Sequence, residues 1–220
     1  MNWHSTKNIL ETSRESSKAE LVARLGQEFL DADQATIVGA CHWLFLNNLF
    51  SLCINLVEWT LMELPEAPAM LVSKLRYLQA DAMLSTKDFD SAVVVYSDLI
   101  EEQPTDIAYA NRGLANWELG SYDEALSDYL EAIKLNPLNA IALRGAGEML
   151  VRRNKIDDAI AYFERALLIN TNYINAYRSV GIACYKAGDF ARSQKALKEV
   201  LRLKPDDEVA QRGITKLLEE

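Results

Sequence analysis

Side chains that could do acid–base, nucleophilic or metal chemistry are sparse in this chain, and their spacing does not bring them together. The two histidines, His4 and His42, lie far apart, and the three cysteines, Cys41, Cys53 and Cys184, are too few and too scattered for a disulfide framework. Each cysteine reads as a compact core residue rather than a nucleophile or metal ligand. The glycines recur at a regular interval instead of clustering in a phosphate-binding loop, so their role is packing. Carboxylates are numerous, but they fall on the outsides of amphipathic segments and in turns, where solvation accounts for them. No catalytic residue, metal or cofactor is expected. What remains is the chemistry of recognition: Tyr77, Trp117, Arg144, Arg178 and Tyr185 are of the residue types that dominate binding energy at protein interfaces.

The elements that would hold these residues follow from a period. Small residues stand at Cys41, Ala80, Gly113, Gly147 and Gly181. Twelve residues after each comes another, Cys53, Ala92, Ala125, Ala159 and Ser193, and twelve further come Pro65, Pro104, Pro137, Thr171 and Pro205. The opening residues are 39, 33, 34 and 34 apart, a period that marks a repeat architecture. Apolar positions within each unit recur at three- and four-residue steps, the signature of helices. Each unit is therefore predicted to be two helices joined by a tight turn, the small residues lying where the paired axes approach most closely. Val57, Tyr96, Tyr129, Phe163 and Leu197 fall on the buried face of the second helix, and Ser121 with Glu124 makes a capping box at its start. The proline ends it, because it cannot continue the hydrogen-bond ladder.

A unit of about 34 residues with a small residue, then Ala-x-x-x-aromatic, then Pro resembles the tetratricopeptide repeat. The resemblance covers residues 73–207 as four units, 73–105, 106–139, 140–173 and 174–207. A divergent helix pair with a short insert occupies 34–72. It implies an all-α fold, a right-handed superhelix of antiparallel helix pairs with a concave and a convex face. Residues 1–33 are read as an N-terminal helical extension and 208–220 as a C-terminal capping helix with Val209, Ile214, Leu217 and Leu218 inward.

Residues 38–57 carry no formal charge over about a membrane's thickness, but three asparagines and a histidine interrupt them. The repeat register makes them a buried hairpin with Asn47 and Asn48 at its turn, so no membrane span is expected. Leu49, Leu52, Leu56 and Trp59 would then form a second apolar stripe on the solvent side. An amphipathic helix over 17–31, with Leu21, Leu25 and Phe29 on one face and Ser17 with Glu20 as its capping box, is expected to cover that stripe, or else to form a homodimer interface. No secretory leader is visible in the first residues, so a cytoplasmic location is expected.

The net charge of −9 argues against nucleic acid as a partner. The charge is uneven: residues 1–139 hold 9 basic and 21 acidic side chains, and residues 140–220 hold 14 and 11. The partner expected is a protein. Helical periodicity turns Tyr77, Asp81, Asn111, Leu114, Trp117, Arg144, Glu148, Arg178, Ile182 and Tyr185 toward the concave surface, along with Ile107, Ile141, Val151, Arg152 and Lys186. Arg144 and Arg178 share one position of consecutive repeats and are expected to hold a carboxylate bidentately. Arg112, by contrast, is expected to pair with Asp128 inside its own hairpin. The function expected is a non-catalytic adaptor, or a chaperone-like protein, that binds a peptide or helix of a partner. The alternative is a scaffold that self-associates through its N-terminal apolar helices.

Chaperone cofactors of this family capture a terminal carboxylate with a set of Lys, Asn and Arg. The matching positions here hold Tyr77, Asp81, Asn111, Ile141 and Gly145, of which only Asn111 agrees. Bacterial secretion chaperones of the family have a similar layout of N-terminal helix, few repeats and acidic composition, without a shared residue motif.

Overall fold

The structure, a computed structural model, describes residues 33–219, and these form eleven helices. The chain divides into two compact units between Pro104 and Thr105. The first contains α1 (Gln34–Leu46), α2 (Phe50–Glu63), α3 (Ala69–Thr86) and α4 (Phe89–Glu102). The second contains α5 (Asp106–Glu118), α6 (Tyr122–Leu135), α7 (Ala140–Arg152), α8 (Ile156–Ile169), α9 (Ile174–Lys186), α10 (Phe190–Leu203) and α11 (Glu208–Glu219). The helix predicted over 17–31 and His4 lie outside the described residues. No helix among those described is long and apolar enough to cross a membrane.

The period has two local causes. Each tight turn passes through a left-handed residue at the same repeat position: Asn48, Lys87, Gly120, Asn154 and Gly188 have φ between 59° and 82°. The residue after it donates its N–H back to the helix, as from Ser121 to the Asn116 carbonyl at 2.9 Å, which closes the helix end. At the other end of each hairpin the residue before the proline is forced out of the helical region. Gln103, Asn136 and Lys204 have ψ of 105°, 98° and 90°. Asn170, which precedes Thr171, keeps the same geometry with ψ 97°.

The small first-helix residue makes room for a large one on the second helix. A Cβ on Gly113 would stand 3.0 Å from the Tyr129 ring, one on Gly147 2.5 Å from Phe163, and one on Gly181 2.7 Å from Leu197. Tyr96, Tyr129 and Phe163 are fully buried as a result. Tyr129 also reaches the next hairpin, where a Cβ on Gly145 would meet its ring at 2.3 Å. One aromatic side chain thus locks three helices, α5, α6 and α7.

Four expectations change. Ser121 makes no side-chain cap, whereas Asp88 and Asp189, at the same repeat position with nearly the same φ and ψ, accept from the Ser91 and Arg192 N–H groups: the position suits the longer reach of a carboxylate. The insert before residue 73 is largely helical, because Pro68 starts α3 at Ala69. This extra turn brings Leu71 and Leu75 into one buried cluster with Leu52 and Leu56, so much of the stripe on α2 is core rather than solvent side. On α11 the inward stripe is Ala210, Ile214 and Leu217, against Leu197 and Val200. Val209 and Leu218 stand one residue off that stripe and are exposed.

Candidate functional site: the inner face of the second unit

In the second unit the first helices of successive hairpins, α5, α7, α9 and then α11, touch in sequence, whereas the second helices α6, α8 and α10 have no comparable mutual contact. The side on which stacked elements crowd is the inside of their bend, so α5, α7 and α9 line the inner face. A cavity of about 190 Å³ opens there between Trp117 of α5, Glu148, Val151 and Arg152 of α7, and Ser179 and Ile182 of α9. A second cavity, of about 440 Å³, follows between α9, α10 and α11, and Ile182 lines both.

The predicted residues divide between the units. Tyr77 and Asp81 lie on α3 in the first, both half-buried. The hydroxyl of the core residue Tyr96 donates to Asp81, so that carboxylate caps a buried tyrosine. In the second unit Asn111 and Leu114 are half-buried on α5, and Trp117, Glu148, Ile182 and Tyr185 line one cavity or the other.

The two arginines do not form a vacant clamp. Arg144 is only 11% exposed; it donates to Glu148 and, at 2.9 Å, to the Tyr173 hydroxyl. Burial disfavours its charge, but Glu148 and Tyr173 outweigh that and hold the guanidinium above its ordinary pKa. Glu148 also accepts from Ser179 Oγ at 3.2 Å. Arg178 donates to Asn175 Oδ1 at 2.8 Å and to the carboxylate of Asp207. Asp207 accepts from the Ala210 N–H at 3.0 Å as well. The hydrogen bond from Arg178, with that backbone bond, holds the Asp207 carboxyl below its ordinary range despite burial. Each arginine therefore grips the residue that opens the next first helix, Tyr173 before α9 and Asp207 before α11. They staple hairpin to hairpin.

The Arg112–Asp128 pair is present and bidentate, at 2.7 and 3.1 Å, with Asn116 Nδ2 3.0 Å from the same carboxylate. The three thiols are buried and unpaired, and burial lifts that of Cys53 to about 12, which removes it from thiolate chemistry. His42 is exposed on α1. Among the described residues no group of three His, Cys, Asp or Glu side chains could hold a metal ion.

Sequence reasoning missed the contribution of α11, whose Val209, Arg212, Gly213 and Lys216 line the larger cavity. The signal was available: α7, α9 and α11 begin at residues 140, 174 and 208, so α11 continues the first-helix period.

Models of the tetratricopeptide repeat match residues 110–176 and 150–217. Heat shock protein STI1 of Saccharomyces cerevisiae is 27% identical over 96 residues, 43% of this chain and 16% of that protein. The tetratricopeptide repeat and J domain-containing co-chaperone DNJ1 of Cryptococcus neoformans is 34% identical over 99 residues, 45% of this chain and 18% of that protein. The matches thus span under a fifth of the length of these two relatives. Among solved structures, a thermophilic repeat protein of Thermus thermophilus superposes with a TM-score of 0.67 at 18% identity, over 84% of this chain and all of that one. The first repeat domain of Spaghetti (RPAP3), bound to an HSP90 peptide, gives 0.50 at 23% identity, over 52% of this chain and 91% of that one. With the turn geometry, the glycine–aromatic packing and the period all in agreement, this chain belongs to the tetratricopeptide repeat family.

Proposed function

We propose that the chain is an adaptor that captures a peptide or helix of another protein on the inner face of its second unit. The observation that carries this reading is a cavity of the inner face with an open apolar wall. Trp117, Val151 and Ile182 line it, and Ile182 is 44% exposed on α9. Exposed apolar surface in an aromatic-walled cavity is the kind of surface that other proteins bind. Heat shock and co-chaperone relatives fit an adaptor or chaperone-like role, and a fold neighbour is itself bound to a peptide. Capture of a terminal carboxylate in the manner of the chaperone cofactors is not part of the proposal, because Tyr77, Asp81, Ile141 and Gly145 replace the residues it needs. Buried, unpaired thiols suit a reducing compartment such as the cytoplasm. The self-associating scaffold has less behind it, since Leu52 and Leu56 are already buried within the chain.

Panning a library of random dodecapeptides on the purified protein tests the reading without a known partner. Enriched peptides, resynthesised and measured by fluorescence polarisation, should bind Trp117→Ala and Ile182→Glu about tenfold more weakly than the wild type. No enrichment over bare resin, or unchanged affinity in both variants, refutes it.

A further inference from the structure

We infer that the larger cavity, between α9, α10 and α11, binds an internal acidic segment of the partner with an apolar anchor residue at its centre. The inference rests on the adaptor reading and gives the partner its chemistry. Three cavities of the second unit differ in charge. The one beside Trp117 is lined by Glu148 and Arg152, one charge of each sign. A cavity of about 350 Å³ on α8, α9 and α10 sets Glu164 and Glu199 against Arg192 and Lys195, and Arg192 is paired with Glu164. The cavity of about 440 Å³ is lined by Lys186, Arg212 and Lys216 and by no carboxylate. None of these three cations has a carboxylate within 4 Å among the described residues. Glu208 and Glu219, the acidic residues of the same helix, are not in the lining. Three like charges around one concavity repel one another until an anion enters.

The interior is apolar and shaped. Gly181 and Gly213 face Leu197 from opposite helices, and a Cβ on either would come within 2.7 Å of it. The missing side chains let α9 and α11 close on Leu197, which lines the cavity together with the two glycines. Tyr185 forms a side wall, held by Phe190 at 5.5 Å between ring centroids and covered by the Lys216 ammonium at 4.7 Å. The volume lies in the range of small-ligand pockets and accommodates one large apolar side chain. The cations are spread over two helices, Lys186 on α9 and Arg212 with Lys216 on α11, rather than gathered at one end. That distribution matches carboxylates on both sides of an anchor, not a single chain-terminal carboxylate.

The probe is a fluorescein-labelled, C-terminally amidated peptide with two acidic residues on each side of a phenylalanine. Saturable binding to the full chain is expected in polarisation assays, weakening as salt rises from about 0.05 to about 0.5 M. Lys186→Glu and Lys216→Glu should each weaken it about tenfold, and a peptide with serine for phenylalanine should lose at least as much. Lys195→Glu, a charge reversal in the cavity on α8, α9 and α10, should leave the affinity unchanged. Absent binding, insensitivity to both charge reversals, or equal affinity of the serine peptide, which would mean attraction of any polyanion, overturns the inference. Library peptides that need Trp117 but ignore Lys186 and Lys216 would overturn it while sparing the adaptor reading. Failure of every peptide would refute both.

Discussion

Removing the Asp207 carboxylate should release α11 from the end of the second unit. The carboxylate does two things at once: it accepts the Ala210 N–H at 3.0 Å, and it receives the Arg178 guanidinium. Loss of a helix-starting acceptor of this kind costs about 1 kcal/mol. Loss of the ion pair lies between the limits for exposed and buried pairs, because Asp207 is 4% exposed and Arg178 27%. A value of about 1–2 kcal/mol is appropriate, below the full cost of an orphaned buried charge. Arg178 Nε already lacks a hydrogen-bond partner in its buried position, so the variant strands it further. Asp207→Ala should therefore destabilise by about 2–3 kcal/mol, and Asp207→Asn, which keeps the backbone acceptor, by about 1. Urea unfolding followed by circular dichroism measures both, and amide exchange should locate the loss in α11 first, since repeats fall apart by neighbour. The acid limb provides a second readout. Asp207 has a depressed carboxyl in the folded protein, so its contribution is complete above the unfolded carboxylate range near pH 4 and vanishes as pH falls through the folded value. The wild type should lose more stability than Asp207→Asn below about pH 4. Equal stability of all three proteins at neutral pH, or parallel acid limbs, refutes the staple.

Two further outcomes follow from the packing. The Tyr129 hydroxyl is buried without a hydrogen-bond partner, so Tyr129→Phe should be neutral or stabilising by up to about 1 kcal/mol, whereas Gly145→Ala should destabilise by about 1–3 through the same ring; chemical denaturation of both decides it. Lys87 occupies the left-handed turn position that asparagine and glycine hold in the other four hairpins, so Lys87→Gly should raise the thermal midpoint by a few degrees, for a gain of about 0.5–1 kcal/mol; a fall on calorimetry would refute it.

How legible the fold was depends on the range of its causes. The hairpins are set by residues within one period, and the sequence shows them directly: Gly113 and Tyr129, or Gly147 and Phe163, pair at a fixed spacing of sixteen residues. The bidentate Arg112–Asp128 bond was legible for the same reason, its partners also lying sixteen apart. Errors arose where residue type alone was read without the geometry of its position. Ser121 looks like a cap, but the backbone there places the cap at the reach of a carboxylate, as Asp88 and Asp189 show at the same repeat position. Leu52 and Leu56 looked exposed because the register assigned them a solvent face, and the early start of α3 at Ala69 depends on Pro68.

The arginines show why a binding face is harder to read than a core. A residue type suited to grip a partner is equally suited to grip its own chain, and Arg144 and Arg178 do the latter. What separates the cases is whether an acceptor waits at the matching place in the next hairpin. Tyr173 and Asp207 each lie 29 residues after their arginine, both at the opening of the following first helix. That spacing, like the glycine–aromatic one, belongs to the repeat, but it crosses a hairpin boundary and takes different acceptors, a phenol in one case and a carboxylate in the other. Position alone therefore does not identify a binding arginine. The cations that remain for recognition are those whose surroundings supply no acid, and Lys186, Arg212 and Lys216 meet that condition around a single apolar cavity.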